Sequence, residues 1–115
     1  KAEKVFAEVI AARDKIWVYE HQDKICGFIA LQGNYIDRLY VDPVQQGKGV
    51  GSALLNHAKN ICPEFLSLHT HQANESARGF YERAGFTVYK LGISPAPENV
   101  PDVEYHWTGA SNGSQ

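Results

Sequence analysis

The sequence has no methionine and only two cysteines, and its basic residues do not outnumber its acidic ones. No apolar run approaches the roughly 18 residues needed to cross a bilayer. Each absence excludes something. With 11 Lys and Arg against 13 Asp and Glu, the formal net charge is -2, so bulk electrostatic attraction to nucleic acid is not expected. Without an apolar span or a signal-peptide pattern, no membrane partner is expected either. Cys26 and Cys62 are far apart and lack C-x-x-C spacing. They read as small buried thiols, and the expected compartment is cytoplasmic. With no methionine, residue 1 is not expected to be a translation start, and the natural chain is expected to begin some tens of residues earlier.

What is present suits one compact α/β domain. The 115 residues are 43% hydrophobic and 21% charged. "KAEKVFAEVIAARD" reads as a helix, with Val5, Phe6, Val9 and Ile10 on one stripe. "KIWVYEHQDKICGFIAL" gives apolar runs on both sides of a polar stretch, His21 to Asp23, and reads as a hairpin. Gly33-Asn34 breaks the chain before a third strand, "YIDRLYVD", which Asp42-Pro43 stops. From Val50, apolar residues recur at Leu54, Ala58 and Ile61, one face of a helix that Cys62-Pro63 closes. "EFLSLHTH" alternates as a strand. "NESARGFYERAG" reads as a helix with Asn74 as N-cap and Gly85 just past its end. "FTVYKL" and "VEYHW" are further strands, separated by a proline-rich loop from Ser94 to Pro101. The expected domain is 1–108, with 109–115, "GASNGSQ", as a disordered tail.

The stretch "VQQGKGVGSALL" carries Gly47, Gly49 and Gly51 into the start of a helix, where each interior glycine costs about 1 kcal/mol relative to alanine. A strand end, a glycine-rich turn and a helix start together make an anion site. The first helical N–H groups have no intrahelical acceptor, and glycines let a phosphate reach them. Two phosphate-binding patterns fail. Lys48 is followed by Gly49, which breaks the P-loop, and the glycine intervals do not fit the dinucleotide fingerprint. A plain nucleotide-binding domain is therefore disfavoured.

Gln46-Gly47-Lys48-Gly49-Val50-Gly51 resembles the Q/R-x-x-G-x-G/A pyrophosphate loop of the GNAT superfamily of N-acetyltransferases. Farther on, Asn74, Ala77, Phe80, Tyr81, Gly85 and Phe86 match that family's N-x-x-A-x-x-F-Y-x-x-x-G-F segment, and "YIDRLYVDP" resembles its fourth strand. The resemblance covers about residues 5 to 107. It implies a mixed, mostly antiparallel central sheet with helices on both faces, whose fourth and fifth strands splay to admit acetyl-CoA. The backbone of Leu39, Tyr40 and Val41 would pair with the pantetheine arm. Gln46 and the N–H groups of Gly47, Lys48, Gly49, Val50, Gly51 and Ser52 would hold the pyrophosphate, while Asn74 and Ala77 would border the arm. The family also places a first strand and helix ahead of the segment seen here. Their absence would leave Ile16 to Glu20 on an open edge, from which either self-association, for example into a homodimer, or loss of stability is expected.

The implied activity is transfer of acetyl from acetyl-CoA to a primary amine of a small molecule or protein, by direct attack in a ternary complex. A non-catalytic acetyl-CoA-binding regulatory module is the alternative. Tyr81 stands where the family places its general acid, although an aromatic core residue beside Phe80 would look the same. No motif fixes the base. Asp37 is the first candidate, and Glu20, His69, His71 or a water chain remain open. His69 and His71 share a strand face, but two histidines without further ligands do not make a metal site, and none is expected. Lys48 reads as a phosphate contact or a solvated lysine, and Tyr35 and Trp17 read as packing.

Overall fold

A computed structural model describes residues 6–10 and 14–109. The chain divides into two compact units, Lys1–Pro63 and Glu64–Gln115.

The first unit is an antiparallel meander with a helix on it. Strand β1 (Phe6–Ile10) pairs with β2 (Lys15–His21), β2 with β3 (Lys24–Gln32), and β3 with β4 (Tyr35–Val41). The β2–β3 turn is built on Gln22 and Asp23, both at positive φ (53° and 65°), which gives the twist a tight hairpin needs. Strand β3 is buried almost continuously from Cys26 to Leu31, as a central strand should be. Helix α1 (Val50–Ile61) lies on β2, β3 and β4 and buries Val50, Leu54, Leu55 and Ala58. These residues repeat at helical spacing and meet Trp17, Ile29, Leu31 and Ile36, which are also buried.

Two expectations change here. The helical reading of the first segment is wrong for residues 6–10, which form β1; the rest of that reading lies on 1–5 and 11–13, outside the described residues. The stripe of Phe6, Val9 and Ile10 fits a helix, but those residues are also good strand formers. Pairing with the backbone of β2 satisfies peptide groups that an isolated helix could not. The second change follows from the first. Phe6 pairs with Tyr19, Ala7 with Val18, Glu8 with Trp17 and Val9 with Ile16, so the edge is covered from Ile16 to Tyr19. The reason for expecting self-association through that edge is removed.

The second unit is a three-stranded antiparallel sheet with one helix. Strand β7 (Pro101–Thr108) is central, paired with β5 (Phe65–His71) on one side and β6 (Thr87–Ile93) on the other. Helix α2 (Glu75–Arg83) starts at Asn74, whose side chain caps it, and is followed by Gly85 at φ 97°. Leu66, Leu68, Phe86, Val103 and Tyr105 are buried. The proline-rich loop is closed by Ser94, whose N–H donates to Val100 O (2.8 Å) and whose Oγ accepts from Val100 N–H (3.1 Å). Gly109, assigned to a disordered tail, is buried and donates to Glu64 O (3.0 Å); the rest of that tail, 110–115, lies outside the described residues. Among the described residues no helix is long and apolar enough to cross a membrane.

One contact in the first unit leaves no room for a side chain. A Cβ at Gly27, on β3, would come 2.5 Å from the Tyr40 carbonyl oxygen, 3.2 Å from Leu54 Cδ1 and 3.3 Å from Val41 Cα. Backbone on one side and core on the other give it nowhere to move. Gly27→Ala is therefore expected to destabilise the protein by about 2 kcal/mol or more through overpacking. Urea unfolding checks this: the midpoint should fall with the slope unchanged, and an unchanged midpoint would mean that β3 and β4 are wrongly registered.

Candidate active site

Strand β4 ends at Val41, and the chain then turns tightly toward α1. Asp42 Oδ1 accepts from Val44 N–H (3.0 Å) and caps a short 3-10 turn, Pro43–Gln45. Gln46 N–H donates to Pro43 O (3.3 Å) and Lys48 N–H to Gln45 O (3.3 Å). Gln46 also reaches back, its Nε2 donating to Val41 O (3.2 Å), which ties the turn to the end of β4. Gly47 and Gly49 then take left-handed conformations, φ 83° and 87°, that other residues adopt only under strain.

That turn decides what α1 offers. Gly49 is the N-cap residue, so no side chain caps the helix, and its first turn holds no acidic residue. The first intrahelical bond across the cap runs from Ala53 N–H to Gly49 O (3.0 Å). The amides of Val50, Gly51 and Ser52 therefore stand without intrahelical acceptors at the positive end of the helix dipole. A Cβ at Gly47 or Gly49 would meet nothing within 4 Å. The glycines are there for backbone geometry, and the space beside each of them is open. Buried Val50 anchors the turn, while Lys48 and Ser52 are exposed.

On β4, Leu39 and Val41 are half-buried, and Tyr40 is exposed and stacks on Phe28 (5.7 Å between ring centroids). A bulge places Asp37 as the extra residue of the strand, because Ala30 pairs with Arg38 while Leu31 pairs with Ile36. Glu20 pairs with Ile25, about five residues along β3 from the Asp37 level, roughly 17 Å at strand rise. The structure does not bring these two carboxylates together, so they cannot share one proton-transfer task. Trp17 and Tyr35 are, respectively, buried and half-buried; Trp17 lies edge-on to His57 of α1 (5.4 Å), whose imidazole pKa burial pushes down.

In the second unit, Asn74 Oδ1 accepts from Ala77 N–H (3.1 Å). The cap thus occupies the side-chain oxygen and does not use the amide nitrogen. Tyr81, on α2, lies among aromatic rings: Phe80 at 5.1 Å, Phe86 at 5.7 Å and Tyr105 at 6.3 Å. Burial pushes its phenol up to about 12, so at neutral pH it is a proton-bearing donor. The side chain is packed among rings and keeps its phenol proton.

His69 and His71 do not join Tyr81. Leu68 pairs with Tyr105, which touches α2, and alternation along β5 puts both histidines on the opposite face of the sheet. There His69 Nε2 lies 3.6 Å from Glu104 Oε1 and His71 Nε2 lies 3.5 Å from Glu98 Oε1. His106, which the sequence reading did not single out, is 2.7 Å from Glu104 Oε2, and that hydrogen bond holds the Glu104 carboxyl below its usual range. Tyr89 stacks on the His106 ring at 4.0 Å. Among the described residues no group of three or more His, Cys, Asp or Glu is placed to hold a metal ion. An open cleft of about 510 Å³ lies at the end of β5, lined by His71, Gln72, Ala73, Val100 and Pro101.

Sequence reasoning also missed Arg78, Glu82 and Tyr105, which form one hydrogen-bonded group. The spacing of Arg78 and Glu82, one helical turn, was the available signal.

Comparison with known proteins agrees with this geometry. Residues 12–88 match the family model described as "Acetyltransferase (GNAT) domain". The peptidyl-lysine N-acetyltransferase YjaB of Escherichia coli (strain K12) is 40% identical over 74 residues, covering 64% of this chain and 50% of YjaB. The solution structure of apo YjaB superposes with a TM-score of 0.74 at 34% identity, covering 83% of this chain and 65% of that one. A candidate streptothricin acetyltransferase from Bacillus anthracis, solved in complex with acetyl coenzyme A, shares the fold with a TM-score of 0.77 at 23% identity, covering 87% and 65%. The chain spans about half the length of the curated relatives it matches. With its glycine turn, its β4 and the whole of α2 inside the matched span, the chain belongs to the GNAT acetyltransferase domain family.

Proposed function

We propose that residues 1–108 act as one acetyltransferase domain that moves acetyl from acetyl-CoA to a primary amine, by direct attack in a ternary complex. The observation that carries this reading is the uncapped start of α1. Gly47 and Gly49 hold left-handed φ, no side chain caps the helix, and the space beside both glycines is open. A pyrophosphate supplies the charge and the acceptor oxygens that such a turn lacks. In this reading Gln46 fixes the turn, Gly47 to Ser52 bind the pyrophosphate, and Lys48 adds a screened positive charge. The Leu39–Val41 backbone pairs with pantetheine, and the Asn74 amide and Ala77 border it. The free thiols Cys26 and Cys62 fit a reducing, cytoplasmic setting.

The chemistry asks three things of the protein. A lysine-like amine has a pKa near 10.4, so at pH 7 only about one molecule in a few thousand is neutral, and a base must take its proton. Asp37, projecting from the β4 bulge, is assigned that task, directly or through water. An N–H of the Leu39–Val41 segment polarises the thioester carbonyl as it becomes an oxyanion. Tyr81 donates a hydrogen bond to the leaving sulfur. Full proton transfer from a phenol at about 12 to a thiolate near 8.5 is uphill by roughly 5 kcal/mol, so Tyr81 stabilises the thiolate without surrendering its proton. The name of YjaB points to peptidyl lysine as the acceptor class for this chain.

Acetyl-CoA at 100 times its Kd should stabilise the fold by about 2.7 kcal/mol, read as a rise in melting temperature, with no rise from ATP or NAD. An equal shift with ATP would remove the assignment. Gly49→Val should abolish most of the acetyl-CoA shift, because a branched residue resists φ 87° and crowds the phosphate position. A folded variant with undiminished shift would show that the turn serves something else.

Tyr81→Phe should lower kcat for thiol release by about tenfold to a thousandfold while the Kd for acetyl-CoA stays within about twofold. Because the phenol loses its proton only as pH rises through about 12, variant and parent should share the same pH–rate shape up to pH ~10. An alkaline limb present in the parent and absent from the variant would contradict the raised pKa. A fully active variant would return Tyr81 to packing alone.

A further inference from the structure

Helix α2 has nine residues, none of them fully buried. Apolar packing alone therefore holds it loosely, yet Tyr81 needs it fixed. A hydrogen-bond donor aimed at a developing thiolate is useful only within a few tenths of an ångström and a narrow angle.

The fixing comes from β7. Tyr105 is fully buried, and its hydroxyl donates to Glu82 Oε2 (2.6 Å) and accepts from Arg78 Nε (3.0 Å). Those partners stand one helical turn apart and bracket Tyr81 in the sequence. Arg78 Nη1 also donates to Gln72 O (3.4 Å), and Gln72 is itself held to β7 by Nε2 donating to Asp102 O (2.9 Å) and N–H donating to Pro101 O (3.0 Å). The Tyr81 ring rests against the Tyr105 ring at 6.3 Å and 38°, and Phe86 N–H donates to Tyr81 O (3.0 Å) at the helix end. One hydroxyl thus pins a helical turn by both its donor and its acceptor side.

We infer that Tyr105 is a positioning residue for the transfer: through Arg78 and Glu82 its hydroxyl sets the rotation of α2 on β7 and so the direction of the Tyr81 hydroxyl. This rests on the donor role given to Tyr81 above. Tyr105 touches no reacting atom; it acts only through Tyr81.

A double-mutant cycle in kcat tests it, with Tyr105→Phe, Tyr81→Phe and the pair in the same chain, assayed with acetyl-CoA and a lysine-containing peptide. Tyr105→Phe should lower kcat about tenfold with the KM for acetyl-CoA within about twofold, and should change kcat less than about twofold once Tyr81 is Phe. Glu82→Ala, which leaves the buried ring in place, should reproduce the loss. Glu82→Gln, which keeps an oxygen to accept from Tyr105, should stay within about twofold of the parent. If Tyr105→Phe gives no cooperative melt, the Glu82 pair run against Tyr81→Phe decides. Full kcat in Tyr105→Phe, or an undiminished further loss on top of Tyr81→Phe, would overturn the inference. Full kcat in Tyr81→Phe alone would instead overturn the donor role on which it rests.

Discussion

A helix whose first residues follow a glycine in the left-handed region has no side chain available to cap it, and the functional reading of this chain depends on that constraint. Asp42 spends its carboxylate on the 3-10 turn before the loop, and Gln46 spends its amide on Val41 O, so neither reaches the start of α1. Gly47 and Gly49 then steer the backbone through φ values of 83° and 87°. What remains is a row of amide donors at the positive end of a 12-residue helix whose inner face is anchored by Leu54, Leu55 and Ala58 in the core. Uncapped donors cost stability when nothing accepts from them, and a bound diphosphate removes that cost.

The second unit organises its chemistry by sheet face. The α2 face carries Tyr105, Tyr81 and the polar group of Arg78 and Glu82, while the other face carries Glu104, His106, His69 and Tyr89. The histidines thus sit beside carboxylates on a face of their own, where His106 hydrogen-bonds Glu104 and stacks on Tyr89. The donor at Tyr81 is set apart in an aromatic surrounding that keeps its proton on. A tyrosine so placed is suited to stabilising a leaving thiolate by hydrogen bonding, and unsuited to ionising at neutral pH.

Features written in adjacent residues were legible in the sequence. The Asp42-Pro43 stop, the glycine-rich turn, the apolar stripe of α1, the Asn74 cap and Gly85 past α2 all depend on local backbone rules, and each appears where those rules place it. Features that depend on a distant partner were not. Phe6 to Ile10 carries a helical stripe and strand-forming residues at once, and only the backbone of β2 decides between them. The bulge that singles out Asp37 comes from the register of β3 against β4, which no spacing in the strand reveals. Tyr105 reads as one more apolar position of a strand until its hydroxyl is found between Arg78 and Glu82. His69 and His71 share a strand face in the sequence, yet alternation alone does not say which face carries the helix.

The central claim is that the backbone amides at the start of α1 bind a diphosphate, and amide NMR tests it residue by residue. On titration with coenzyme A, the amide resonances of Gly47, Gly49, Val50, Gly51 and Ser52 should shift together with one dissociation constant, and pantetheine, which lacks phosphate, should leave them in place. Coenzyme A binding that moves other amides while these stay fixed would contradict the account.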